Sequence, residues 1–453
     1  MVTLAAGIDR RNASLANQIG YGAGQVAGQV FRDLPSLLLL FFMTTVLGIA
    51  PATAGVTIFV PKLLFGTFFD VSVGILSDRL RRKIARRWWL FAGALLSPLA
   101  MILLFHVPEG SETLKLAYVA GTFSLYIAVF ASFSVPYLAM AGDLTSNSSQ
   151  RNVVMAWRLV FTAVGVLVAG ALAPAVIEMR GGGQSAYEDM ALVLAAICPV
   201  SLLIAFFSSA GTARAAAASA RPALAERLSF KQAVSILLAP RFSVLWLTNL
   251  LQLTGAGMAY ASLLYFLTYN MGRADAFQMI GIIVIMACLG IILSQPLWVK
   301  LAGVMGKRKA YIAATILYLL TYIIWGFAAS WGVMAAFALS FVAAVGNSGW
   351  TMLGFSMMSD IASDDEEYAG LYSAAWIAAD KIAFALGGTL LVGLTLSTFG
   401  FDSAKAVAGL PQSDSAKWGI VMAFAVIPVT LNIIGACILG RWGQIGDKEV
   451  APT

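Results

Sequence analysis

Seven ionisable side chains stand inside runs that are otherwise apolar: Arg32, Asp33, Lys62, Asp70, Arg158, Asp380 and Lys381. Four are cations and three are anions. A charge in bilayer hydrocarbon costs roughly 2.5–3.5 kcal/mol on insertion scales, so such residues face a partner or a water-filled cavity. The stretch VFRDLPSLLLLFF (30–42) puts two of them side by side. Around it, Gln29, Arg32, Asp33 and Ser36 recur at i, i+3, i+4 and i+7 and share one helical face. Such a face offers two chemistries. A guanidinium binds carboxylate, sulfate or phosphate through two parallel hydrogen bonds. A carboxyl in an apolar setting can carry a proton near neutral pH. Two other readings of Arg32 and Asp33 stand beside the cavity: they pair and lock two helices, or they lie near a membrane boundary and snorkel. Arg32 is about ten residues, roughly 15 Å, into its span, which strains snorkelling. Pro35 can loosen the backbone here, as a hinge or a source of polar groups.

The elements that must hold these residues follow from composition. The chain has 453 residues, 60% hydrophobic and only 11% charged, where a soluble chain carries about 25% charged residues. Many runs approach the roughly 20 apolar residues that cross a bilayer core. The pattern predicts an all-α membrane protein of twelve transmembrane helices, near 22–48, 53–78, 87–107, 115–141, 153–177, 190–209, 242–269, 276–299, 310–329, 333–359, 369–397 and 418–440. One linker is long, 210–241, and it is Ala-rich and basic (GTARAAAASARPALAERLSFKQ). It divides the chain into a six-helix bundle within 1–209 and a second within 242–453.

Of the 29 Lys and Arg, 20 fall on the side of the termini, the 79–87 turn and the linker, and five on the other. By the positive-inside rule both termini are cytoplasmic. The net charge of +7 therefore records topology, not a nucleic-acid partner. No cleavable signal-peptide pattern is present, because the first apolar run is a full span. Short loops and chain length point to a bacterial inner membrane. Cys198, Cys288 and Cys437 lie in spans and build no disulfide framework. The single histidine, His106, ends a span as an interface residue and excludes zinc motifs built on paired histidines. With no metal cluster and no nucleophile beside a base, the chain does not read as an enzyme. No ATP-hydrolysing motif occurs either, since the glycines of GVMGKRK (303–309) are too closely spaced for a phosphate loop. YGAGQVAG (21–28) lies in a span without a preceding strand, so its small residues read as close helix packing.

One motif is more specific. In DVSVGILSDRLRRK (70–83), Asp70, Gly74, Asp78 and Arg79 give D-x-x-x-G-x-x-x-D-R at the basic end of the second span. The glycine permits close helix approach, and the carboxylate and guanidinium can pair across a helix junction. This resembles the loop signature between the second and third helices of the major facilitator superfamily. At the matching junction of the second half, QPLWVKLAGVMGKRK (295–309), only the basic loop remains. The resemblance implies two pseudo-repeats with a site between them, alternating access, and a gate formed by Asp78, Arg79 and Arg82.

Three further stretches narrow it: YGAGQ on to LFGTFFDVSVG (21–74), FSVPYL (133–138) with MAWRLVFTAVG (155–165), and SMMSDIASDDEEYAGLYSAAWIAADKIAFALGG (356–388). Together they resemble the glycoside–pentoside–hexuronide:cation symporter family. The resemblance implies that Lys381 is its eleventh-helix lysine, Arg158 its fifth-helix arginine and Asp70 one of two cation-binding carboxylates of the second helix. The other carboxylate is replaced by Gly66. The family's sugar-binding acids of the first and fourth helices are replaced by Gln29 and Ser134. Sodium needs several oxygen ligands, so a proton is expected instead, with Asp70 the first choice and Asp33 the second; Asp70 can equally be a structural tie of the motif. No other cofactor is implied.

From these residues the expected function is symport of a small anionic solute, a glycoside or hexuronide in type, by a monomer. Arg32, Arg158 and Lys381 are expected to converge on the solute's anionic group, with Gln29, Asp33 and Ser134 beside them. Asn249, Gln252, Asn347, Trp350, Tyr372 and Trp376 are further candidates for hydroxyl contacts or ring stacking. A lysophospholipid carrier of the same family is the alternative. The acidic run DDEE (364–367) can pair with RLRRK in one gate state.

Overall fold

The computed structural model describes residues 14–80, 83–144, 148–210 and 230–442. Twelve helices are long and apolar enough to cross a membrane: α1 (Leu15–Thr45), α2 (Pro51–Leu80), α3 (Arg87–Phe105), α4 (Glu112–Met140), α5 (Val153–Met179), α6 (Gly183–Ser208), α7 (Pro240–Asn270), α8 (Ala276–Met305), α9 (Lys307–Phe327), α10 (Val333–Asp364), α11 (Ala369–Thr398) and α12 (Asp414–Arg441). Every expected span is present, and no strand occurs among the described residues. Several ends run past the apolar windows. α1 starts at Leu15 because Ser14 caps it, its Oγ accepting from the Asn17 N–H at 3.2 Å.

Pro35 does not break α1. It lacks an N–H, and its ring opposes the carbonyl of the preceding turn. The backbone relaxes into a π-helical turn at Pro35–Leu39, which rotates the residues beyond it relative to those before. α5, α7, α11 and α12 contain similar turns at Val168–Leu172, Phe266–Asn270, Leu386–Leu391 and Met422–Val426. The small residues of YGAGQVAG pack as expected. A Cβ on Gly22 would stand 3.1 Å from the Trp157 backbone, and one on Gly24 would stand 2.8 Å from the Ala205 Cβ.

α1–α6 and α7–α12 form two bundles that meet chiefly at one face, opposite the 80–87 turn. There the Ala52 N–H donates to Ser397 Oγ at 2.8 Å, and Ser403 Oγ donates to the Ile49 carbonyl at 2.8 Å. Thr44 Oγ1 and Tyr265 Oη lie 2.6 Å apart, both buried. α2 and α11 touch backbone to backbone, since a Cβ on Gly393 would fall 2.4 Å from the Pro51 carbonyl oxygen. Ser403 belongs to a short helix, Ser403–Val407, whose start is capped by Asp402; hydropathy gave no sign of it. At the basic face the described ion pairs stay within each half: Asp78–Arg86 in the first, Arg241–Asp364 and Lys307–Asp360 in the second. The contacts between the halves described above thus gather at the end away from the basic face.

Candidate substrate and coupling site

The site starts from Phe31. Its ring stacks on Tyr126 at 4.3 Å and meets Phe133 edge-on at 5.3 Å, both on α4. Such pairs contribute about 0.5–1.5 kcal/mol each beyond buried area. They fix the rotation of α1, and Arg32, one residue on, turns toward the second half. Its Nη2 donates to Asp380 Oδ2 at 2.9 Å and Oδ1 at 3.1 Å. Its Nε lies 4.0 Å from Asp33 Oδ1, and its guanidinium sits 5.8 Å from the centre of the Phe384 ring. Asp33 takes its hydrogen bond from Gln29 Nε2 at 2.7 Å. Ser36 Oγ donates to the Arg32 carbonyl and accepts from Lys62 Nζ at 3.3 Å. One residue after Asp380, Lys381 donates to Asp70 on α2.

Consecutive residues of α11 thus reach two helices of the other half with opposite polarity. The side chains remain accessible, Arg32 at 48% and Lys381 at 49%. A charged group inside a span and reachable by solvent borders the opening between the halves. With all six ionised, Arg32, Lys62 and Lys381 balance Asp33, Asp70 and Asp380.

Arg158 stands apart. Its Nε and Nη2 donate to Gln25 Oε1 at 3.2 and 2.9 Å, and it lies over the Tyr137 ring at 5.3 Å. Gln25 precedes Arg32 by seven residues, about 10 Å along α1. The three cations expected to converge have separate partners in this structure. Arg32 and Lys381 share a cluster, while Arg158 is two turns nearer the basic face. The reason is electrostatic: inside a span a cation needs an acceptor, and Asp380, Asp70 and Gln25 supply one each. Asp380 was visible in the sequence only as one in-span charge among seven; nothing in the spacing marked it as the partner of Arg32.

The remaining candidates divide. Gln29 backs the cluster and packs on α5, where a Cβ on Gly165 would meet its Cβ at 2.5 Å. Ser134 is half-buried on α4. Gln252 is fully buried inside the second bundle, donating to Thr315 Oγ1 at 3.1 Å and accepting from the Tyr311 hydroxyl. Trp350 and Trp376 lie in the same aromatic core. Tyr372 is buried there too, its hydroxyl donating to Asp365 Oδ2 at 2.9 Å. Asn249 is buried, its Nδ2 without a hydrogen-bond partner among the described residues, and Asn347 is half-buried. In this state Asn249, Gln252, Trp350, Tyr372 and Trp376 fill the second bundle and do not line the opening. Of these, Gln252 finds its partners Thr315 and Tyr311 on α9.

At the expected gate, Asp78 pairs with Arg86 across the α2–α3 turn, not with Arg79, which is exposed. Arg82 lies outside the described residues. A Cβ on Gly74 would stand 3.7 Å from Val135 Cγ1, ordinary van der Waals contact. Asp364 of the acidic run pairs with Arg241. His106 meets Glu188 at 3.0 Å at a span end.

Comparison with known proteins agrees with this architecture. The model of the MFS/sugar transport protein family matches residues 20–442, and the chain belongs to that family. It is 24% identical over 441 residues to the inner membrane symporter YicJ of Escherichia coli (strain K12), covering 95% of this chain and 92% of that one. It is also 24% identical over 451 residues to a candidate sulfoquinovose importer of the same organism, covering 97% and 92%. Among solved structures it resembles a bacterial homologue of the human lysosomal transporter Spinster, in an inward-facing and occupied conformation, with a TM-score of 0.70 at 13% identity over 93% of this chain and 95% of that one. The protein is a membrane transporter of the major facilitator class and not an enzyme.

Proposed function

We propose that the solute is a small organic anion, a sugar acid or sulfonated sugar, carried with a proton. The observation that carries this reading is the accessible, charge-balanced cluster at Arg32 and Lys381, bridging the two halves. Arg32 holds its present partner through one nitrogen only. Its fork therefore retains donors for an oxyanion, the bidentate mode that suits carboxylate and sulfonate. Arg158 adds a cation on the route from the basic face. The name of the candidate sulfoquinovose importer fits such a solute.

Coupling follows from charge balance. A monoanion entering a neutral cluster leaves one negative charge in a poorly solvated place. A single proton offsets it, and Asp70 is the carboxylate that can take one when Lys381 turns to the anion. Sodium is disfavoured because Gly66 stands where a second carboxylate would supply oxygen ligands. The protein acts as a monomer in a bacterial inner membrane, with the basic face and both termini cytoplasmic.

A second reading has one observation behind it. α5 and α8, one from each half, border an open groove of about 600 Å³ lined by apolar residues that include Leu167, Ile285 and Ile292. An acyl chain would fit there, with the charged head of a lysophospholipid at the cluster.

The test is uptake into proteoliposomes of sulfoquinovose, D-glucuronate, D-glucose and a lysophospholipid, with and without an inward proton gradient. The first two should accumulate only with the gradient. Accumulation of glucose alone, or indifference to the gradient, would defeat the proposal; movement of the lysophospholipid alone would establish the second reading.

A further inference from the structure

We infer that Asp380 is an internal stand-in for the solute: its carboxylate occupies Arg32 in the state open to the basic face, and the arriving oxyanion takes its place. This rests on the reading of the solute as an anion and assigns to Asp380 the part of a specificity-determining residue.

The geometry supports exchange rather than a fixed tie. Arg32 contacts Asp380 with Nη2 alone, which is shared between the two carboxylate oxygens at 2.9 and 3.1 Å. Among the described residues, Nη1 has no hydrogen bond and Nε comes no closer than 4.0 Å to Asp33. A structural Arg–Asp pair would gain most from two parallel hydrogen bonds. Both side chains are reachable from the opening, at 48% and 31% exposure. The displaced carboxylate has a cation to turn to: Lys62 lies within electrostatic reach of Asp380 and, among the described residues, hydrogen-bonds only to Ser36 Oγ at 3.3 Å.

Exchange of one oxyanion for another costs little, because Arg32 keeps a charged acceptor throughout. A neutral sugar would have to leave Asp380 in place or strand a guanidinium without its counter-ion, which is costly in a poorly solvated site. Asp380 therefore excludes neutral solutes as well as yielding to charged ones, the repulsive element that specificity commonly needs. The contact also joins α1 to α11, so its replacement by solute releases a link between the halves at the moment of binding.

The experiment measures binding of sulfoquinovose, D-glucuronate and D-glucose to the full-length protein in nanodiscs. Asp380→Asn should tighten both anions by about tenfold, equivalent to about 1.4 kcal/mol, and should also bind glucose more tightly than the wild type does, because the excluding carboxylate is gone. Asp33→Asn changes the local charge by the same unit without touching the Arg32 hydrogen bonds, and should gain less than about threefold. Arg32→Gln/Asp380→Asn should bind no better than Arg32→Gln. Asp380→Ser, expected to behave like the Asn variant, is measured in its place if that variant fails to fold. Equal gains in Asp380→Asn and Asp33→Asn would overturn the inference, since a general field would then suffice. If the anions bind wild type through Arg32 but Asp380→Asn is no tighter, the inference falls and the proposed function stands. If neither anion binds wild type or variant, both fall.

Discussion

Asp70 of α2 and Lys381 of α11 are ion-paired across the boundary between the two halves, one residue from the pair that joins Arg32 to Asp380. One helix thus offers a cation to one neighbour and an anion to another. A rotation of the halves has to break or re-form both contacts. Alternating access is thereby linked to whatever neutralises these four groups, and the two candidates are a proton and the solute's own charge.

Asp70→Asn should separate coupling from passage. The amide cannot take up a proton, yet it fills the same space and can still accept from Lys381. Accumulation driven by a proton gradient should fall at least about tenfold, while counterflow exchange stays within about threefold of wild type. Both assays use the same proteoliposomes. Gradient-driven accumulation that survives would make Asp70 a structural tie of its motif and nothing more.

Tyr265→Phe should weaken the closed face. The Thr44–Tyr265 contact, at 2.6 Å, joins α1 to α7 between the halves. Thr44 retains the Leu40 carbonyl at 3.1 Å as a partner, so no buried hydroxyl is stranded. The loss is about 1 kcal/mol, a shift of about fivefold toward the state open at that face. Spin labels at Ala50 and Ala404, both exposed, report it as a larger fraction of long distances.

Gly393→Val should act more strongly at the same face. Its Cβ would lie 2.4 Å from the Pro51 carbonyl oxygen and 3.2 Å from the Gly55 Cα. Backbone atoms cannot step aside as a side-chain end can. Overpacking of this kind costs roughly 1–3 kcal/mol, and only the closed arrangement bears it. Transport should drop at least about tenfold with the same label pair moved apart. An unchanged distance distribution would mean that this contact does not hold the face shut.

Arg158→Lys tests the outlying cation. Arg158 grips Gln25 with two nitrogens and rests on Tyr137, which itself exchanges hydrogen bonds with Tyr21 at 2.6 and 2.8 Å. An ammonium keeps the charge but loses the fork. If Arg158 handles the anion on its way in, KM for glucuronate or sulfoquinovose should rise about tenfold with kcat within about twofold. A lower melting temperature with unchanged KM would assign it to tying α1 to α5.

Twelve spans, their grouping by sixes and the seven charges within them were legible before any coordinates. Pro35 was visible as a disturbance, and its π-helical turn is the form that disturbance takes. The small residues of 21–28 pack closely, as a Gly-rich run inside a span with no preceding strand implies. The partner of each charge was not legible. Arg32 shares a face with Asp33 and seemed to belong with it, yet its hydrogen bonds go to a residue 348 positions away. Likewise Gln252, Trp350 and Trp376 have side chains that suit sugar hydroxyls and rings, and nothing in their spacing shows that in this state they are buried within the second bundle.

The division has a physical basis. Whether a segment crosses a bilayer depends on about twenty neighbouring residues and the thickness of hydrocarbon they must match, and that information is local and linear. Which way a given side chain points depends on the rotation of its helix against others. Here that rotation is set by contacts such as Phe31 on Tyr126 and Gly393 against Pro51, between residues far apart in the chain. Spacing along one helix marks a face; only the packed bundle decides what that face meets.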